Sequence, residues 1–258
     1  MSIYKTKIGH GRDLVMLHGW GLHSGLFEDI AAELSQDFCC HLIDLPGFGK
    51  SDDLQDDYTL DAIAEKIRHE IPDNARVLGW SMGGLVATRL ATLFPQKVAE
   101  LILVASSPRM VADDEWQHAI SPAVLHEFAN QLEQDYDGTL MRFLALQSHG
   151  SESAKQDIRL LRERVFNHGR PTLKALRGGL YILADTDQRN ELLALDIPVT
   201  LILGKLDMLV PFGIADELKP KMEKLCVRII KGAGHAPFIS HPVKFIKSIR
   251  ECQHVGQE

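Results

Sequence analysis

The apolar residues of this chain fall into short runs that alternate with longer amphipathic stretches. Apolar runs of strand length predict buried strands at 13–19, 38–45, 76–80, 100–106, 199–204 and 226–232. Apolar residues at helical spacing predict helices near 24–35, 58–70, 82–94, 212–223 and 241–252. Because strands that are apolar throughout must be covered on both faces, this alternation predicts an α/β protein with a mostly parallel sheet and helices on both sides.

The alternation stops in the middle of the chain. That stretch has no convincing strand pattern and is typical of several helices, and it is bounded by Ser107-Pro108 and Ile197-Pro198. We therefore predict a core of residues 1–108 and 191–258, with residues 109–190 inserted as a helical cap over the carboxyl edge of the sheet.

The run VLGWSMGGLVATRLA, residues 77–91, contains a serine at the junction of a predicted strand and a predicted helix. Ser81 has a glycine two residues away on either side, Gly79 and Gly83. A sharp strand-to-helix turn strains the serine backbone and brings neighbouring segments close, so small residues are needed at both flanks. The spacing predicts a nucleophile elbow with Ser81 as the nucleophile. A purely structural serine at a helix start is the alternative, and the choice depends on the partners of Ser81.

Two further loops supply candidates for the base and the acid. Asp207 follows the predicted strand 199–204, and His235 follows the predicted strand 226–232. Functional residues of open α/β sheets lie at the carboxyl ends of strands, and the order nucleophile, acid, histidine is the one that accompanies a nucleophile elbow. We predict that His235 takes the proton of Ser81 and that Asp207 orients the imidazole.

Backbone N–H groups close to Ser81 are candidates for an oxyanion hole. One belongs to Met82, directly after the nucleophile, and the other to Trp20, in the run HGWG after the first long strand. His18, in the same run, is interpreted as a brace for its loop. Asp216 follows the same strand as Asp207, but it lies in a helical pattern and is interpreted as a solvated charge.

Composition limits the classes of function. The 258 residues are 45% hydrophobic and 24% charged, which is typical of a soluble globular protein. A formal net charge of −7 argues against nucleic acid as the general partner. The sequence shows neither a signal peptide nor an apolar run long enough to span a membrane. Its four cysteines match neither a metal motif nor a disulfide framework, so we expect a cytoplasmic protein with no membrane partner.

Two runs resemble binding motifs, and both fail on spacing. GFGKS at 47–51 would need glycine at position 44 to be a phosphate loop, and the chain has Asp44 there. His126-Glu127 begins like a zinc-binding helix motif but lacks the second histidine. We therefore predict neither a metal nor another cofactor.

Several runs together resemble one family across nearly the whole chain: LHGWGL, DLPGFGKSD, GWSMGGLVA, VASSP, FLALQ, LDMLVP and GAGHAPFISHP. They are similar to the pimeloyl-[acyl-carrier protein] methyl ester carboxylesterases of biotin synthesis, within the α/β-hydrolase superfamily. The resemblance implies an α/β-hydrolase fold and a triad of Ser81, Asp207 and His235. It implies substrate contacts at Trp20, Ser81, Met82, Phe143, Leu144, Ala145, Leu146, Gln147 and His235. The implied reaction removes the methyl ester as methanol and leaves the carrier thioester intact.

Charge is divided sharply within the predicted cap. Residues 113–137 carry acids and no lysine or arginine, whereas residues 138–180 carry an excess of bases. Lys155, Arg159 and Arg162 recur at the spacing of one helix face. A basic patch on an acidic protein favours an acidic partner, and acyl carrier proteins are acidic. A solvated helix face, neutralised by the acidic stretch, is the alternative.

The family resemblance implies that Arg142, Lys155 and Arg159 dock the carrier. Lys155 replaces a family arginine, and Gly138 falls at the position of another. The expected partner is an acyl carrier protein that bears the pimeloyl methyl ester, and the expected oligomeric state is a monomer.

Two other functions remain open from the sequence. One is another cap-bearing hydrolase, such as a carbon–carbon bond hydrolase, a general short-chain carboxylesterase or a lipase-like esterase, which would show no preference for carrier-bound chains. The other is a ligand-binding receptor that has kept the fold and the triad, for which turnover well above a Ser81→Ala control is not expected.

Overall fold

A sheet of seven strands forms the centre of the described chain, which is residues 2–148 and 154–251 of a computed structural model. The strands are β1 (Lys5–Gly9), β2 (Arg12–Leu17), β3 (Phe38–Ile43), β4 (Ala75–Trp80), β5 (Val98–Val104), β6 (Val199–Gly204) and β7 (Leu225–Ile230). Their spatial order is β1-β3-β2-β4-β5-β6-β7. β1 pairs antiparallel with β3, and the other neighbours are parallel.

After β2, helices lie between successive strands and follow the last one. These are α1 (Glu28–Leu34), α2 (Leu60–Ile67), α3 (Met82–Leu93), α4 (Pro122–Gln134), α5 (Tyr136–Ser148), α6 (Ala154–Arg164), α7 (Leu173–Asp185), α8 (Arg189–Ala194), α9 (Ile214–Leu218), α10 (Pro237–Ser240) and α11 (Pro242–Glu251). Several helices begin at side-chain caps: Thr59, Ser121 and Thr172 each accept a hydrogen bond from a backbone N–H in the first turn of α2, α4 and α7.

All six strands expected from the apolar runs are confirmed, with ends that differ by one or two residues. β3, β4 and β6 are buried at every position, as expected for strands covered on both faces. The expected helix near 212–223 is shorter, because α9 ends at Leu218 and is followed by a single 3-10 turn.

β1 was not expected from the sequence. Its residues, KTKIG, include only one apolar side chain, and exposed and half-buried positions alternate along it. It lies at the edge of the sheet and pairs with β3 alone, so its outer side needs no apolar cover. A short polar edge strand therefore lacks the apolar run by which the buried strands were recognised.

The parallel strands place several loops at one edge of the sheet. Registers pair Leu17 with Gly79, Trp80 with Val104, and Gly204 with Ile230, so β2, β4, β6 and β7 end close to one another. Their following loops carry Trp20, Ser81, Asp207 and His235. Helices α4 to α7 are all inserted between β5 and β6.

Among the described residues, no helix is both long enough and apolar enough to cross a membrane.

Candidate active site

Ser81 occupies a strained turn between β4 and α3. Its backbone has φ 54° and ψ −120°, a left-handed conformation that is unusual for a residue other than glycine. A Cβ on Gly79 would collide with the Gly83 backbone, and one on Gly83 would collide with the Leu17 carbonyl. The flanking glycines are therefore required by close backbone approach, as the elbow predicted.

His235 and Asp207 extend from Ser81 as a line of hydrogen bonds. His235 Nε2 lies 3.0 Å from Ser81 Oγ, and His235 Nδ1 lies 2.8 Å from Asp207 Oδ2. All three residues are buried, with Ser81 only 4% exposed. The structure thus brings together the three residues that the sequence assigned to the triad.

The loops that carry His235 and Asp207 are themselves fixed. Asp207 Oδ1 accepts backbone N–H bonds from Leu209 (2.8 Å) and Val210 (3.0 Å). Trp80, at the end of β4, donates its indole N–H to the His235 carbonyl at 2.9 Å. Both oxygens of the Asp207 carboxylate are consequently engaged, one with the loop and the other with the imidazole.

The two expected oxyanion donors are the N–H groups of Met82, directly after Ser81, and of Trp20, directly after Gly19. Met82 is the first residue of α3, so its N–H has no partner inside the helix, and the helix N-terminus favours negative charge. A methyl group on Gly19 would lie 3.2 Å from Ser81 Cβ, which puts the Gly19–Trp20 peptide against the nucleophile. The Trp20 side chain is 1% exposed, and its indole N–H donates to the Leu176 carbonyl of α7 at 2.9 Å.

His18 holds the peptide that contains the Trp20 N–H. Leu45 N–H donates to His18 Nε2 at 2.9 Å, so Nδ1 carries the proton of the neutral ring and donates to the Gly19 carbonyl at 2.8 Å. Because Gly19 C=O and Trp20 N–H belong to one planar peptide, fixing the carbonyl fixes the direction of the N–H. The interpretation of His18 as a brace agrees with these contacts.

Burial lowers the pKa of His18 to about 4, against the opposing charge of Asp44. The unfolded chain, with a histidine pKa near 6.5, binds this proton at a higher pH than the folded chain does. As the pH is lowered from 6 to about 4, we expect the free energy of unfolding to decrease, with a contribution from His18 of about 1.4 kcal/mol per pH unit. Urea unfolding at several pH values measures this slope, which should be smaller in His18→Asn than in the wild type because up to one fewer proton is taken up on unfolding. Equal slopes in the two proteins would contradict the lowered pKa of His18.

The positions implied as substrate contacts are only partly described. Trp20, Met82 and Ser81 lie together, as above. The segment from Phe143 to Gln147 belongs to α5, and in it only Ala145, which is half-buried, has a described side chain. The side chains of Phe143, Leu144, Leu146 and Gln147 lie outside the described residues.

The three implied docking residues are exposed. Arg142, on α5, lies with its guanidinium 3.5 Å from Asp135 Oδ2. Arg159, on α6, pairs with Glu163 at 3.3 Å and is 78% exposed, and Lys155 is exposed one turn before it. The three bases therefore lie at the surface of neighbouring helices.

Other bases of the same segment contact the rest of the protein. Arg164 pairs with Asp29 of α1 at 2.8 Å, and Lys174 donates to the Leu54 carbonyl at 2.7 Å. Some of the bases counted between positions 138 and 180 are thus engaged within the protein, and the exposed basic surface is smaller than the count suggests.

Two hydrogen bonds of the site were missed from the sequence. Ser106 Oγ, after β5, donates to the Ser81 carbonyl at 2.8 Å, and Trp80 holds His235 as described. Ser106 lies in the run VASSP, which carried only the family resemblance, and Trp80 lies in the predicted strand 76–80, where its indole was given no role. Their position directly at the carboxyl ends of β5 and β4 was the available signal.

Comparison with known proteins agrees with this geometry. Residues 14–242 match the family model of the alpha/beta hydrolase fold. The esterase EaEST from Exiguobacterium antarcticum superposes with a TM-score of 0.84 at 23% identity, over 96% of this chain and 94% of that one. An esterase from Thermogutta terrifontis superposes with a TM-score of 0.81 at 22% identity, over 96% and 92%. These structural neighbours define the fold.

Curated sequences are more similar. A pimeloyl-[acyl-carrier protein] methyl ester esterase of Aeromonas salmonicida is 44% identical over 97% of this chain and 98% of its own length. The protein of the same name from Yersinia pseudotuberculosis is 46% identical over 96% of both chains. The chain therefore belongs to the α/β hydrolases and, among them, to the family of these esterases.

Proposed function

We propose that this protein is a serine carboxylesterase that hydrolyses the methyl ester of pimeloyl-[acyl-carrier protein] methyl ester, in biotin synthesis. The 3.0 Å contact between His235 Nε2 and Ser81 Oγ carries the ester chemistry. Identity of 41–46% to curated relatives named for this reaction supports the substrate.

Hydrolysis proceeds in two acyl-transfer steps. His235 Nε2 removes the Ser81 proton as Oγ attacks the methyl ester carbonyl, and the same nitrogen then protonates the departing methoxide, which leaves as methanol. Water, deprotonated by His235, next attacks the Ser81 acyl-enzyme. The bond between the acyl carbon and Oγ breaks, His235 returns the proton to Ser81, and the free acid is released as its carboxylate. Asp207 accepts from His235 Nδ1 throughout, so it keeps Nε2 facing the serine and stabilises the imidazolium.

Negative charge develops on the carbonyl oxygen of the ester in both steps. The N–H groups of Met82 and Trp20 stabilise it, the first at the N-terminus of α3 and the second in the peptide held by His18. We call residues 18–24 the oxyanion loop. Removing one donor of this kind lowers kcat by on the order of 10²–10³. The loop matters for catalysis because it sets the position of the Trp20 N–H relative to Ser81.

We further propose that residues 109–190 form the cap and that its exposed bases bind the acidic carrier. Arg142, Lys155 and Arg159 serve docking. Gly138 cannot replace the missing arginine, and its N–H donates to Asp135 Oδ1 at 2.9 Å, where a Cβ would collide with the same carboxylate. Docking therefore depends on the other three bases.

The function is tested with the purified protein and pimeloyl-[acyl-carrier protein] methyl ester. Methanol release with retention of the carrier thioester is the expected result, together with growth of a biotin-requiring strain that lacks this step. Hydrolysis of small esters alone, with no action on the carrier ester, would favour a general short-chain esterase. No turnover above Ser81→Ala would favour a ligand-binding receptor.

Replacing Arg142, Lys155 and Arg159 together by Glu should separate docking from chemistry. We expect KM for the carrier ester to rise and kcat/KM to fall strongly, because the acidic partner now meets like charge. A small soluble ester should be hydrolysed at close to the wild-type rate, since Ser81 and its partners are unchanged. Rising salt should impair the wild type on the carrier ester only, because exposed charges are screened within about 10 Å at 0.1 M.

A matched control reverses three other exposed bases, Lys7, Lys221 and Lys247, all outside residues 109–190. Lys247 pairs with Glu251 four residues later, as Arg159 does with Glu163. Equal losses on both substrates in the cap variant, or the same carrier-specific loss in the control, would contradict docking at the cap.

A further inference from the structure

Asp44 is a buried carboxylate that has no place in the triad. It follows β3 directly, and its side chain is 0% exposed. Oδ1 accepts from Ser24 N (2.7 Å) and from Ser24 Oγ (2.6 Å). Oδ2 accepts from Lys50 N (2.9 Å) and lies 3.0 Å from His168 Nδ1. Two donors on each oxygen are what a buried ionised carboxylate requires.

The charge of Asp44 is supported by its surroundings. Burial alone would raise the pKa of this carboxyl, but the nearby His18 and the hydrogen bonds from Lys50 and Ser24 lower it below its ordinary value. Asp44 is therefore ionised at neutral pH, in the interior of the protein and beside the oxyanion loop.

The two residues that follow β3, Asp44 and Leu45, contact the oxyanion loop at its start and at its far end. At the start of the loop, Leu45 N–H fixes His18, which in turn fixes the Gly19 carbonyl. At its far end, the Asp44 carboxylate binds Ser24 through both backbone and hydroxyl. The Trp20 N–H lies between these two attachments, so its position relative to Ser81 depends on both.

The same carboxylate reaches the segment that follows α6. His168 donates to Asp44 and stacks on His23, with ring centroids 4.2 Å apart. His23 Nε2 lies 2.8 Å from the Arg164 carbonyl at the end of α6. The loop and the end of α6 are thus joined around Asp44.

These side chains do not form a metal site, although His23, Asp44 and His168 lie close enough together for one. His23 Nδ1 already accepts Gly25 N–H at 3.1 Å, while Nε2 donates to Arg164. Neither nitrogen has a lone pair left for an ion, and the stacked rings face each other rather than a common point.

We propose that Asp44 is a positioning residue for ester hydrolysis: its carboxylate holds the oxyanion loop so that the Trp20 N–H meets the developing oxyanion. The proposal rests on the proposed esterase function, because it assigns the Trp20 N–H to that oxyanion. It goes beyond that function in giving a role to a group that contacts neither substrate nor triad.

Asp44→Asn tests the proposal with a nearly isosteric change. The amide oxygen can still accept from Ser24, but the amide NH₂ cannot accept from Lys50 or His168. The side chain therefore holds the oxyanion loop less firmly. On a small soluble ester we expect kcat to fall about 10- to 100-fold, less than for complete loss of a donor, with KM nearly unchanged. Affinity for a boronic acid, which forms a tetrahedral adduct with Ser81, should fall by a similar factor.

Asp13→Asn is the matched control. Asp13 also binds a buried histidine, with its Oδ1 2.6 Å from His41 Nε2, but it lies on β2 at the other end of the strands. It should leave kcat and boronate affinity unchanged. Unaltered kcat and boronate affinity in folded Asp44→Asn, a change in KM alone, or an equal loss in Asp13→Asn would overturn the proposal.

Ser24→Ala keeps the test decisive if Asp44→Asn does not fold. It removes one of the two bonds to Oδ1 and leaves the carboxylate in place, so a smaller loss of both kcat and boronate affinity is expected. Wild-type values in Ser24→Ala would then overturn the proposal. If the wild type hydrolyses no ester, the proposed function fails separately, and the boronate affinities of the same variants still measure the role of Asp44.

Discussion

Ser81→Ala is expected to abolish ester hydrolysis and to leave the protein folded. The variant loses the only atom that forms the acyl-enzyme, while the Met82 and Trp20 N–H groups remain. Loss of a serine nucleophile of this kind lowers kcat by on the order of 10⁵–10⁶. Alanine keeps the Cβ of residue 81, so the strain at φ 54° is unchanged and the free energy of unfolding should stay close to that of the wild type.

The measurement is hydrolysis of a short-chain ester by purified protein, with folding checked by circular dichroism and thermal unfolding. Ser35→Ala provides a control for the loss of a hydroxyl, since Ser35 lies at the end of α1 and its hydroxyl donates to the nearby Ala32 carbonyl. Near wild-type rates in a folded Ser81→Ala would show that another group performs the reaction.

The positions of the strands along the chain could be predicted where burial leaves a continuous apolar run. β3, β4 and β6 are buried at every position and were recognised directly. β1 was not, because an edge strand with one apolar residue is stabilised by pairing with β3, and the partner is specified elsewhere in the chain. α10 is similar: its four residues, PFIS, are too few to show a helical period.

The site was predictable as far as it depends on the ends of strands. Ser81, Asp207 and His235 each directly follow a strand or its turn, so local sequence and chain order sufficed. The contact between Asp44 and His168 is different, since 124 positions separate the two residues. Asp44 begins the run DLPGFGKSD, but nothing in that run indicates a histidine partner. Contacts between distant loops have no period or spacing, and only the folded chain reveals them.

The basic surface shows a related limit. Charge counted along 138–180 does not say which side chains face the core, and Arg164 and Lys174 prove to bind Asp29 and backbone carbonyls. Lys155 and Arg159, four residues apart on α6, were predictable as one exposed face because helical spacing sets it.

Asp207→Asn should lower kcat by on the order of 10³–10⁴ with little loss of stability. The Leu209 and Val210 N–H groups need an acceptor, so the asparagine oxygen stays with them, as Oδ1 does in the wild type. The new NH₂ then faces His235 Nδ1 and donates to it. The imidazole proton moves to Nε2, which can no longer accept the proton of Ser81.

Asp216→Asn is the matched control for this variant. Asp216 lies nine residues further on and is exposed in the first turn of α9, so the same substitution removes a charge at the surface. We expect its kcat to equal that of the wild type. The two kcat values and the unfolding curves, measured side by side, decide the assignment. If Asp216→Asn were the impaired variant and Asp207→Asn the active one, the acid that orients His235 would not be the carboxylate 2.8 Å from its Nδ1.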